Sequence, residues 1–259
     1  MKQRNVIDHV IEIIEDLISG DSSSRTNVPK SSDFYGLGQA VNTLAEHYQM
    51  AQETISILNR QLKENNLDVI MALIEALNAK DPYTRGHCER VPVYASLIAR
   101  RLGLTEEELD AIHLASYLHD IGKIGIPDDI LNKPSDLTRE EYEQVKAHAL
   151  ISSQIVSQIP NLSHIASMVL HHHEHHNGAG YPDGLSGDEI PLGSRILAIA
   201  DAFDAMTSSR PYCLPIKPQE ALQEIKRCAG RQFDPDLAHL FADAYTKAYG
   251  NRIPNVKAS

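Results

Sequence analysis

The apolar positions of this chain recur at helical intervals along most of its length. After Ile7, the residues Val10, Ile11, Ile14, Leu17 and Ile18 form one stripe among acidic and polar neighbours, which predicts an amphipathic helix. Ser, Asn, Gly and Pro between Gly20 and Pro29 interrupt the pattern, so that stretch reads as a connector. A second stripe runs Leu37, Val41, Leu44, Tyr48, Ala51, Ile55, Leu58 and Leu62, at intervals that alternate between four and three. That alternation is the heptad of a coiled-coil seam. It continues weakly through Asn65, Val69, Ala72 and Ala76, with Asn65 a polar seam position of the kind that sets register. Two arrangements satisfy this stripe: a long helix lying on its own domain, or a dimerising helix that leads directly into the next one. No alternating strand pattern of useful length occurs, so the predicted fold class is all-α.

The later stripes carry residues that packing alone does not require. His87 opens a helix with Val91, Tyr94 and Ile98 at +4, +7 and +11, which turns its ring toward the core side. His119-Asp120 closes a helix over 107–118, and His148 shares a face with Val145, Ile151 and Ile155. Asp201 lies in the apolar run Ile196 to Phe203 with no Lys or Arg within four residues. A carboxylate there is costly to bury unless a cation holds it. Five of the six residues from His171 to His176 are imidazoles, and Gly178, Gly180 and Tyr181-Pro182 follow, where a helix gives way to a tight loop.

Each of these residues also has an ordinary reading: a satisfied core histidine, an ion pair, a solvated polar tract. Pooled, His87, His119, Asp120, His148, His172, His173 and Asp201 form a nitrogen and oxygen donor set without thiolate, which suits Fe or Mn. Zn, Ni or Co would also fit such donors, and Ca or Mg fit them less well. Seven candidates are too many for one ion. Two ions bridged by a carboxylate would generate a hydroxide and clamp both oxygens of an in-line phosphoryl displacement.

Charge and cysteine content narrow the partners. The 24 Lys and Arg against 35 Asp and Glu leave a net charge of −11, which argues against a surface for long nucleic acid but not against a small anion at a metal site. Cys88, Cys213 and Cys228 show no paired-ligand spacing and leave an odd count, which points to a reduced compartment. No apolar run spans a bilayer and the first residues are not those of a signal peptide, so the expected location is cytoplasmic.

At this point the motifs resemble a family. The order His87, His119-Asp120 and Asp201 resembles the HD phosphohydrolase superfamily. His172-His173-Glu174 with Asn177-Gly178-Ala179-Gly180-Tyr181-Pro182 is similar to the signature of its HD-GYP branch. The phrases Asp81-Pro82-Tyr83-Thr84, Leu118 to Ile124, Ile130 to Pro134 and Asp201 to Tyr212 resemble that branch as well, so the likeness covers about 66–249. It implies an HD-type helical bundle around a metal site and hydrolysis of cyclic di-GMP to linear pGpG, with GMP appearing slowly. One ion would take His87, His119, Asp120 and Asp201; the other would take His148, His172 and His173, with Asp120 bridging. Lys123 would reach the scissile phosphate or protonate the leaving 3′ oxygen, Arg210 would hold a phosphate, and the loop bearing Gly180, Tyr181 and Pro182 would shape the rim.

Two positions depart from the branch. Tyr83 stands where some members carry a Glu that helps hold a third metal, and Cys213 stands where a Lys or Arg is common. The rival expectation is a metal- and nucleotide-binding sensor that turns over slowly and reports to partners such as GGDEF-type diguanylate cyclases. A mononucleotide phosphohydrolase fits the HD core but not the GYP phrase.

The front end, roughly Val6 to Gln52, resembles a HAMP module through Gly20-Asp21, Pro29, Asp33 and the phrase Leu37 to Leu44. The expected organisation is therefore a helical dimerisation and signalling segment over 1–65 and an HD-GYP phosphodiesterase domain over 66–259, assembled as a homodimer.

Overall fold

The computed structural model describes residues 2–21, 23–81, 86–159, 162–209 and 214–254. Tyr83, Arg210 and Cys213 lie outside the described residues. Every regular element among those described is helical: α1 (Lys2–Ser19), α2 (Tyr35–Lys80), α3 (His87–Leu102), α4 (Glu106–Leu118), α5 (Asp128–Leu131), α6 (Arg139–Gln158), α7 (Ala166–Leu170), α8 (Leu192–Thr207), α9 (Pro218–Arg227) and α10 (Pro235–Tyr249). Short 3-10 turns at Ile121–Gly125, Ser163–Ile165 and Gly187–Glu189 join them. The all-α expectation holds. None of the described helices is long and apolar enough to cross a membrane.

The chain forms two compact units, Met1–Val69 and Ile70–Ser259, and α2 is continuous through the boundary. In the first unit Val10, Ile13 and Leu17 of α1 bury against Val41 and Ala45 of α2, with Val28 of the connector packed on them. The buried face of α1 is therefore rotated from the expected stripe: Ile13 is inside, while Ile11, Ile14 and Ile18 are exposed. Both stripes have helical spacing, and contact with α2 selects one. The connector is strapped down by Asn42, whose side chain accepts from Thr26 N at 2.8 Å and donates to Thr26 O at 2.9 Å. Gly38 makes room for it, since a Cβ there would meet Val28 Cγ2 at 2.5 Å. Along α2 the positions Leu37, Leu44, Tyr48, Ile55, Leu58 and Leu62 stay exposed.

In the second unit α3 packs on α4, α8 and α10 around a knot of buried rings. Tyr94, Phe203, Phe241 and Tyr245 are fully buried, with centroids 4.6 to 6.4 Å apart, three pairs edge-on and three tilted. Truncating either Phe to Ala would cost about 3–5 kcal/mol. Helices α4 and α6 each begin at a reciprocal cap, Thr105 with Glu108 and Thr138 with Glu141, which holds their register where they carry site residues.

Gly122 sets the distance between the turn after α4 and α6. Its N–H donates to Ser152 Oγ at 2.7 Å, and a Cβ would lie 2.1 Å from His148 O. The face that α6 buries is His148, Ala149, Ser152 and Val156. Val145, Ile151 and Ile155, expected to share that face, are only half-buried. The close approach of the Gly122 turn rotates α6 toward its small residues.

Candidate metal centre

The seven residues of the pooled set reach one locus from five parts of the fold. His87 comes from the first turn of α3, His119 and Asp120 from the end of α4, and His148 from the middle of α6. His172 and His173 follow α7, and Asp201 projects from α8. Nε2 of His87 lies 3.2 Å from Nε2 of His119, 3.5 Å from Asp201 Oδ1 and 3.6 Å from Asp120 Oδ2. Nε2 of His148 lies 3.2 Å from that of His173 and 3.5 Å from that of His172. Asp120 stands between the two groups: Oδ2 is 3.5 Å from His119 Nε2, and Oδ1 is 3.4 Å from His148 Nε2. Potential ligand atoms fall into the groups His87, His119, Asp201 and His148, His172, His173, with His119, Asp120 and His172 linking them.

The protons of four of these rings are tied elsewhere. Nδ1–H of His119 donates to Ser116 O at 2.8 Å, that of His148 to Val145 O at 2.7 Å, and that of His172 to Val169 O at 2.6 Å. His87 uses Nδ1 on Asp204 Oδ2 at 2.9 Å. A carbonyl or carboxylate partner fixes the tautomer, which leaves each Nε2 as a lone pair aimed at the common locus. Burial pushes His148 down, His172 well down and His173 down to about 3, so these rings are neutral at neutral pH. Lone pairs and carboxylate oxygens converging at 3.2 to 3.6 Å repel one another unless cations sit among them. The donor set therefore fits divalent transition ions, with the second nitrogens oriented as such sites require.

Charge balance comes partly from Lys123, whose Nζ lies 2.6 Å from Asp120 Oδ2. Burial would push the Asp120 carboxyl up, but the Lys123 ammonium beside it holds it well below the usual carboxylate range. Burial also opposes the charge on Lys123, and Asp120 outweighs it, so the ammonium is held above its usual value.

Beside the cluster lies a cavity of about 700 Å³. Its walls include Asp120, Lys123, His148, His173 and Asp201 of the cluster region, together with Leu131, Lys133, Leu137 and Tyr142. Tyr181 lines it and stacks on His173 at 4.8 Å, while Lys146 Nζ sits 5.4 Å from the Tyr181 ring. Gly180 faces inward instead: a Cβ there would meet His175 N at 2.3 Å and Glu174 Cα at 2.5 Å. Its lack of a side chain lets the loop close on residues 173–175. Pro182 is exposed, after a cis peptide bond, and is not among the residues lining this cavity.

The His-rich run divides by function. His172 and His173 join the cluster. His171 is spent on structure, with Nδ1 on Ser167 O and Nε2 on Asp183 Oδ2, both at 2.9 Å. Asp204 and Arg90 were not among the candidates. The Asp204 carboxylate is fully buried and accepts from His87 and from Arg90 Nε at 2.6 Å. Burial would push it up, but these two partners bring it below the usual range. The signal was present in outline, since Asp201 and Asp204 are three apart on one helix and Arg90 is three after His87.

Known proteins are similar to this chain over about two thirds of its length or more. The cyclic di-GMP phosphodiesterase response regulator RpfG of Xanthomonas campestris is 40% identical over 188 residues, 72% of this chain and 50% of that one. A cyclic di-GMP phosphodiesterase of Thermotoga maritima is 43% identical over 180 residues, 67% of this chain and 49% of that one. The 3′3′-cGAMP-specific phosphodiesterase 3 of Vibrio cholerae is 38% identical over 186 residues, 69% and 40%. The chain thus spans about half the length of the first curated relatives it matches. Among solved structures, a cyclic GMP-AMP specific phosphodiesterase of V. cholerae superposes with a TM-score of 0.56 at 23% identity, covering 70% of this chain and 48% of that one, and shares the fold. Residues 71–237, which hold all seven clustered side chains, match the HD domain family, and the chain belongs to that family.

Proposed function

We propose that this chain is a metal-dependent phosphodiesterase that opens cyclic di-GMP to linear pGpG. The observation that carries the reading is the convergence of imidazole Nε2 atoms and two carboxylates beside a cavity that Lys123 also lines. The relatives named for cyclic di-GMP and cyclic GMP-AMP hydrolysis support a cyclic dinucleotide as the substrate class.

Two divalent ions, Fe or Mn by donor type, suit the cluster. His87, His119, Asp120 and Asp201 would hold one; His148, His172 and His173 would hold the other, with one oxygen of Asp120 turned to each. Such ions supply Lewis acidity toward a phosphoryl oxygen and lower the pKa of water. The protein's own residues do the positioning. Lys123 donates to a non-bridging oxygen of the scissile phosphate, exchanging its bond to Asp120 for one to substrate. Tyr181, stacked on His173, gives a flat wall for the nucleotide and keeps bulk water from that ring. Arg210 supplies a second phosphate contact.

Tyr83 offers a phenol where an acid would be needed for a third ion, so two ions per chain are expected. Opening the ring gives a flexible, more negative product, and Cys213 provides no cation to rebind it. Linear pGpG should therefore accumulate before GMP. The first unit serves as a dimerising, signal-relaying segment of a cytoplasmic protein.

The test is turnover of cyclic di-GMP by anaerobically purified protein, with metal analysis on the same sample. Early pGpG at two ions per chain supports the reading. No turnover by fully loaded protein, three ions per chain, or GMP as the main early product overturns the corresponding part.

A further inference from the structure

The last residue of α2 turns its side chain away from its own helix. A Lys at a helix end is ordinarily stabilised by that helix's terminal carbonyls. Lys80 Nζ instead donates to Ile124 O at 2.9 Å, 44 positions further along the chain, and lies 3.1 Å from Asp128 Oδ1. In the other direction Asn132 Nδ2 donates to Lys80 O at 3.3 Å, a partner for one of the carbonyls that every helix end leaves open. The end of α2 and the segment 124–132 are thus fastened to each other in both senses. This end of the helix is itself anchored, because Ile70, Ile74 and Leu77 are buried in the core of the second unit.

The fastened segment starts in the turn Ile121–Gly125, which brings Lys123 to the wall of the large cavity. On its α6 side that turn is held at Gly122 by Ser152 Oγ, and a Cβ at Gly125 would meet Ile151 Cδ1 at 2.9 Å. Ile124 is 40% exposed, so its side chain gives little anchorage. Lys123 must leave Asp120 to reach a phosphate, and its backbone then has to keep its place without that bond. We propose that Lys80 is a positioning residue for the reaction: it braces the turn through Ile124 O, so that Lys123 stays aimed into the cavity when it exchanges Asp120 for substrate. The inference rests on the phosphodiesterase reading above and on the part given there to Lys123. Lys80 is not among the residues lining the cavity, so it acts through the turn and not on the substrate.

The test compares wild type, Lys80→Met and Lys80→Arg as full-length, metal-loaded proteins. Met keeps the apolar stem without the ammonium, and Arg restores donors for Ile124 O and Asp128. Cyclic di-GMP kinetics, metal content and hydrogen exchange by mass spectrometry are read on the same samples. Lys80→Met should lower kcat by about tenfold at unchanged metal content and little changed KM, and Lys80→Arg should recover most of the loss. In a Lys123→Met background, Lys80→Met should cost nothing further, since no ammonium is left to position; a merely structural defect would lower the residual turnover in proportion. Amides of residues 121–126 should exchange faster in Lys80→Met, with the helices of the second unit unchanged. Unchanged kcat, additive losses in the double variant, or unchanged exchange at 121–126 overturns the proposal. Wild type without turnover fails the activity reading instead, and the exchange result then decides by itself whether Lys80 braces the turn.

Discussion

Nδ1 of His87 lies 2.9 Å from Oδ2 of Asp204, two residues 117 positions apart that meet in the core of the second unit. The carboxylate holds the ring in the tautomer that presents Nε2 to the cluster, and Arg90 compensates its charge. Asp204→Asn should keep the shape but lose this control. Metal affinity, read by competition with a chelator, is expected to fall by about 10–100-fold with the helical spectrum unchanged. Wild-type affinity would remove Asp204 from the site.

Asp120 is the carboxylate with an oxygen toward each imidazole group. Asp120→Asn exchanges one of those oxygens for an NH2 and removes the charge that Lys123 balances. Hydrolysis should drop by about a thousandfold or more while the helices remain folded. Activity within about tenfold of wild type, in a variant shown to retain metal, would contradict the two-ion mechanism.

Acid should loosen the metal-free protein before it protonates most carboxylates. Burial holds His148 below the ordinary imidazole value of 6.5, His172 well below it and His173 at about 3. Below about pH 6.5 the unfolded chain therefore binds protons that the folded chain refuses, and stability falls as pH drops toward the folded values. The limiting slope is about 1.4 kcal/mol per pH unit for each such ring. The Tm of metal-stripped protein should be flat above about pH 7.5 and fall steeply from about 6.5 to 5. A constant Tm across that window would mean that these rings are not held neutral.

Gly122 tests how tightly the site depends on packing. Gly122→Ala places a methyl group against His148 O and Ser152 N, both backbone atoms that cannot swing away. The expected cost is about 1–3 kcal/mol or more, with lowered metal content because His148 moves. Thermal unfolding and metal analysis on one sample check both.

The heptad stripe of α2 leaves Leu44 57% and Leu58 56% exposed. A run of apolar positions at that spacing is expected to pair with a second copy as a parallel dimer. Replacing both leucines with Lys should give monomers by light scattering, since facing ammonium groups oppose burial. Wild type that stays monomeric at tens of micromolar would remove the basis for the seam.

The sequence by itself determined the all-helical class, because apolar residues at 3.6-residue intervals can be buried only as helices. It also determined which residue types could hold metal. An Asp201 in an apolar run and paired imidazoles before Gly178 violate ordinary burial preferences, and such violations are visible without coordinates. Tertiary structure decided what periodicity leaves degenerate. Ile13 rather than Ile14 turns inward because the partner helix, not the period, selects among stripes of equal spacing. His171 is removed from the ligand candidates only by its bonds to Ser167 and Asp183, twelve residues away in the chain for the latter. Asp204 behind His87 and the Gly122 contact with α6 are relations between groups distant in sequence. Local pattern reports which face of a helix is apolar; which proton, lone pair or methyl group meets it is decided only when the helices pack.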